Sequence, residues 1–96
     1  MLCANLDEVR TNIDRLDVEI VKLLAERSTY VAQAAGFKQT QDQVVVPERI
    51  EAIIAKVRGY AAGHAASPDL IEAIYRRMID AFIEFERSVW LSKHSG

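Results

Sequence analysis

The sequence predicts an all-α fold, three helices per chain with a long first helix, assembled as an intertwined helical homodimer. Apolar residues recur at alternating spacings of three and four from Leu6 to Phe37, and no proline interrupts the chain before Pro47. Two later stretches, opened by Pro47 and by Ser67-Pro68, carry the same period. Only β-branched Val44, Val45 and Val46 have strand character, and three residues without a partner do not make a sheet.

The seam of the first helix is Leu6, Val9, Ile13, Leu16, Ile20, Leu23, Tyr30, Ala34 and Phe37. Asn5 followed three residues later by Glu8 is an amide variant of the capping box, so the helix is expected from about Leu6 to about Gln39. Gln39 to Val46 reads as a loop. The second helix starts at Pro47, a residue favoured at the first helical position. It carries Ile50, Ile53, Ile54, Val57 and Tyr60 toward a terminating Gly63. Ser67 caps the third, whose first turn holds Pro68 and Asp69 and whose stripe is Ile71, Tyr75, Met78, Phe82, Phe85 and Val89.

A helix of about 34 residues is roughly 50 Å long at 1.5 Å per residue. A compact domain of this size has a radius of gyration of only about 12 to 13 Å. Two short helices do not cover such a rod, so a second copy of the chain is expected to bury much of its seam.

The 96 residues are expected to form one domain, 1–96, near the size at which a partner often supplies missing burial. Half the residues are hydrophobic and 27% charged, which excludes a disordered or collagen-like chain. The formal charge of -2 gives no reason to expect nucleic acid as partner. The single Cys3 cannot form an internal disulfide and fits a reducing compartment. The first eight residues lack the basic and apolar regions of a signal peptide. No apolar run approaches the roughly 20 residues a membrane span requires. The expected location is cytoplasmic, with no membrane partner.

The residues that break the apolar pattern carry the chemistry, because an uncompensated charge in a helix core costs several kcal/mol. Arg27 occupies the seam between Leu23 and Tyr30, as a structural ion pair or as a guanidinium with bidentate geometry for a substrate carboxylate. Lys38 lies 11 residues further on, close to three turns, so the two share a face about 16 Å apart along the axis. Taken alone, Lys38 reads as a helix-end lysine favouring the C-terminal dipole. Glu86 follows Ile79 and Phe82 at helical spacing and points inward beside Val89 and Trp90. It is either the partner of Arg27 or Lys38, or a carboxyl held protonated to donate to a ligand. Arg10 and Arg49 sit near helix N-termini, and Arg10 is about 25 Å from Arg27 along a straight helix, too far to share a small ligand within one chain.

Arg10 with Asp17 in VRTNIDRLD, Arg27 in LLAERSTYV, Lys38 in AAGFK and Arg49 in VPERIEAII together resemble the AroQ-class chorismate mutases. The resemblance covers nearly the whole chain, including the order of the helices and the spacing of the basic residues. It implies an intertwined homodimer with two sites, each completed by the N-terminal arginine of the other subunit, which resolves the distance problem of Arg10. By the same resemblance Arg27 and the partner subunit's Arg10 bind the two carboxylates of the substrate. Lys38 sits by the ether oxygen of the breaking bond, and Arg49 supports the site. Glu86 stands where many members place a glutamine that donates to that oxygen, so it would have to be protonated in the active form.

The implied reaction is the pericyclic rearrangement of chorismate to prephenate, which needs neither nucleophile nor cofactor. Accordingly no metal and no cofactor are expected, and His64 and His94, separated by a whole helix, read as surface residues. Two departures point to a neighbouring reaction. Arg49 is followed by Ile50 where typical mutases carry a glutamate that accepts from a substrate hydroxyl, and Phe82 replaces a residue that is small and polar in some mutases. Both lean toward the isochorismate pyruvate lyases, which act on isochorismate to give salicylate and pyruvate. The leading reading is the mutase, the second the lyase, the third a non-catalytic helical dimer binding a related metabolite.

Overall fold

A computed structural model describes residues 2–95. Three α-helices account for most of them: α1 (Leu6–Phe37), α2 (Pro47–Gly63) and α3 (Pro68–His94), with a short 3-10 helix, Gln41–Val44, between the first two. By its internal contacts the chain divides into two compact units, Met1–Tyr30 and Val31–Gly96.

In the first unit α1 begins as its capping residues dictate. The Glu8 amide donates to Asn5 Oδ1 (2.9 Å), while Glu8 Oε2 accepts from the amide of Ala4 (2.8 Å). The reciprocal bond thus reaches one residue further upstream than in the usual capping box. The seam is exposed in the single chain, from 39% at Val9 to 63% at Leu23.

In the second unit α2 and α3 pack against each other, and the 3-10 helix packs on α3. Ile54, Val57 and Ala61 of α2 and Ile79 of α3 are buried, together with Val44 of the 3-10 helix and Ala35 of α1. The α2 stripe is corrected at its end, where Ala61 faces inward and Tyr60 is exposed. At about 100° per residue Ala61 falls on the face of Ile54 and Val57, and Tyr60 falls off it. For the same reason Phe85 stands at the exposed margin of α3 and Ile79 takes its place inside.

Three boundaries also differ from expectation. Helix α1 ends at Phe37. The Lys38 amide reaches the Ala35 carbonyl, three residues back, over a long 3.3 Å, and Lys38 itself stands just beyond the helix. The expected loop contains the turn of 3-10 helix, closed by the Gln43 amide on the Thr40 carbonyl (3.1 Å) and by Gln43 Oε1 accepting from the Gln39 amide (2.7 Å). The residue that closes α2 in the left-handed region is Ala65 (φ 58°), two positions after Gly63, with the Ala66 amide bonded back to the Ala61 carbonyl at 2.8 Å. Ser67 caps α3 as expected, accepting from the Leu70 amide at 3.2 Å.

An ion network staples the outer faces of α2 and α3. Arg76 forms a two-pronged pair with Glu51 (3.0 and 3.1 Å) and bonds Glu72 (2.7 Å), while Arg58 bonds Glu72 (2.8 Å) and Asp69 (3.0 Å). Hydrogen bonds from Arg76 hold the carboxyls of both Glu51 and Glu72 below their ordinary value of 4.5.

Candidate active site

Of the residues singled out in the sequence, Lys38 and Glu86 are brought together. The end of α1 delivers the lysine, and the inward face of α3 delivers the glutamate. Lys38 Nζ donates to Glu86 Oε2 at 2.5 Å. The glutamate side chain is 10% exposed and the lysine 23%, so the pair is screened from water yet reachable. Glu86 is the only buried charged residue among those described. The inward direction expected from helical spacing is therefore observed, and of the two sequence readings the ion pair is the one present.

An ammonium carries three N–H donors and Glu86 takes one. Two remain for an oxygen of a bound molecule. In a screened setting such a charge-assisted bond is roughly twice as strong as one between neutral groups.

Trp90, one turn beyond Glu86 on α3, donates its indole N–H to the Lys38 carbonyl at 2.9 Å. Lys93 Nζ donates to the Ala32 carbonyl at 3.0 Å, and the same ammonium would lie 3.4 Å from a Cβ at Gly36. The last two turns of α3 thus clamp the end of α1. In the sequence Trp90 registers only as an apolar neighbour of Glu86, although a half-buried indole N–H needs an acceptor and so signals a contact.

The other candidates are placed individually. Arg49 is exposed in the first turn of α2 and Ile50, next to it, is half-buried. Phe82, also half-buried, meets Phe85 edge to face with ring centroids 6.2 Å apart. In the first unit Arg10 is exposed and Arg27 half-buried, both on α1. His64 and His94 are exposed. His64 helps line a shallow, mostly apolar cleft of about 260 Å³ by the α2–α3 turn, which includes none of the site residues named from the sequence. Among the described residues no group of His, Cys, Asp and Glu is arranged to hold a metal ion, and no helix is long and apolar enough to cross a membrane.

Fold and pair together define a small helical protein with a screened lysine–glutamate pair where the end of α1 meets α3. Residues 9–87 match the family described as chorismate mutase type II, and the chain belongs to that family. It is 28% identical over 88 residues to the isochorismate pyruvate lyase of Pseudomonas aeruginosa, a likeness covering 92% of this chain and 87% of that protein. It is 34% identical over 79 residues to the T-protein of Enterobacter agglomerans, covering 81% of this chain and 21% of that protein. To the bifunctional chorismate mutase/prephenate dehydratase of Aquifex aeolicus it is 31% identical over 88 residues, covering 88% and 24%.

Proposed function

We propose that the protein is a chorismate mutase, rearranging chorismate to prephenate in a basic pocket of a homodimer. The observation that carries this is the 2.5 Å contact of Lys38 with Glu86, a fixed cation with donors to spare in a member of the chorismate mutase type II family.

In the rearrangement the ether C–O bond breaks as a new C–C bond forms, within one molecule and without a covalent enzyme intermediate. Catalysis then consists of holding the substrate in its folded conformer and stabilising negative charge on the ether oxygen. Lys38 supplies the charge at that oxygen. Arg27 and the partner subunit's Arg10 grip the two carboxylates, for which the planar guanidinium is suited. Arg49 supports the site from the first turn of α2, and Phe82 contributes an apolar wall. Glu86 holds Lys38, and becomes a second donor to the ether oxygen only when it carries a proton. The exposed seam of α1 supports the homodimer, since apolar surface on that scale favours burial against a second copy.

A second reading, an isochorismate pyruvate lyase, is favoured by two observations. The relative of that name matches over most of its own length. Ile50, in addition, offers no acceptor to a ring hydroxyl. The test is to give the purified protein chorismate and isochorismate separately and to separate the products. Prephenate from chorismate supports the mutase, whereas salicylate and pyruvate from isochorismate replace it with the lyase. No product from either overturns catalysis and leaves a helical dimer that binds a related metabolite.

A further inference from the structure

Lys38 is gripped at both ends by residues one turn apart on the same helix. Glu86 holds its ammonium at 2.5 Å, and Trp90 holds its main-chain carbonyl at 2.9 Å. The second contact matters because Lys38 stands beyond the last residue of α1. Carbonyls at a helix end lack intrahelical partners, and the segment that carries them frays unless something else bonds them. Trp90 is itself oriented. His94 stacks on its indole with ring centroids 4.2 Å apart and planes 16° from parallel, and the His94 Nδ1 lies 2.8 Å from the Trp90 carbonyl.

We propose that Trp90 is a positioning residue for the reaction: its indole N–H fixes the backbone of Lys38, so that the ammonium meets the ether oxygen from a preset root. This rests on the reading of Lys38 as the cation at the breaking bond. A lysine has four rotatable side-chain bonds, so motion of an unanchored backbone root is added to that of the side chain at its tip. Anchoring its root leaves less motion to be lost at the transition state, so the benefit falls on kcat and leaves KM nearly unchanged.

Trp90 is the only tryptophan in the chain, which allows residue-specific replacement. Biosynthetic exchange for β-(3-benzothienyl)alanine keeps the ring shape and puts sulfur where the N–H was. With whichever of chorismate and isochorismate the native protein turns over, kcat is expected to fall roughly three- to tenfold, as for loss of one hydrogen bond, with KM nearly unchanged and the thermal midpoint lowered by only a few degrees. A benzothienyl protein with native kcat, beside an inactive Lys38→Met, overturns the positioning role and leaves Lys38 in its own. A Lys38→Met protein as active as the native one overturns both. A third readout needs no activity: the single indole N–H proton should exchange with solvent far more slowly than in free tryptophan, and exchange at the free rate also overturns the proposal.

Discussion

Lys38 and Glu86 are 48 residues apart in the chain, yet Nζ and Oε2 lie 2.5 Å from each other. The contact joins the end of α1 to the inward face of α3. It also determines what happens when either partner is removed. Lys38→Met strands a nearly buried carboxylate and is expected to cost about 1–3 kcal/mol of stability, which Glu86→Gln in the same chain should largely restore. Denaturant unfolding of the two single variants and the double variant measures the coupling.

The proposed homodimer is tested by mass and by its exposed α1 seam. Light scattering at micromolar concentration should give twice the chain mass of 10.8 kDa, and Leu16→Glu should lower it. The shared site has a sharper test. Arg10→Ala and Lys38→Met are each expected to be inactive, while a refolded equimolar mixture should recover about a quarter of native activity, from the one intact site of each mixed dimer.

The ion network across α2 and α3 sets an acid limit on stability. The carboxyls of Glu51 and Glu72 are held below 4.5 by Arg76, so the folded chain binds fewer protons there than the unfolded one. Their contribution is complete above 4.5 and is lost as pH falls through the lowered folded values. Thermal midpoints of the native protein should therefore drop on acidification below pH 4.5, and less steeply in Arg76→Met. High salt should reduce the difference, since Glu51 is largely exposed and Arg76 and Glu72 are partly so.

Two backbone positions offer gains. Ala65 adopts a left-handed conformation that glycine takes without penalty, and Ala65→Gly is expected to add about 1 kcal/mol. Gly59 lies within α2, where an added Cβ meets nothing within 4 Å, and Gly59→Ala should add about 0.5–1 kcal/mol. Thermal unfolding checks both.

Much of the fold was legible in the sequence because its determinants are local. Asn5 with Glu8, Pro47, and Ser67 with Pro68 mark helix starts through their own hydrogen bonding or dihedral preference, and the three helices begin where those residues stand. The inward direction of Glu86 followed from helical period alone. Misassigned positions such as Tyr60, Phe85 and the end of α1 lie at the margin of a stripe or at a helix end, where one residue's rotation or one tertiary contact decides. The carbonyl of Lys38 bonds an indole 52 residues away, and no local pattern announces that. Which cation Glu86 faces was likewise open in the sequence, since spacing places a side chain on a face but does not choose the element across from it. The tertiary structure chose Lys38, because only packing brings the last turns of α3 against the end of α1.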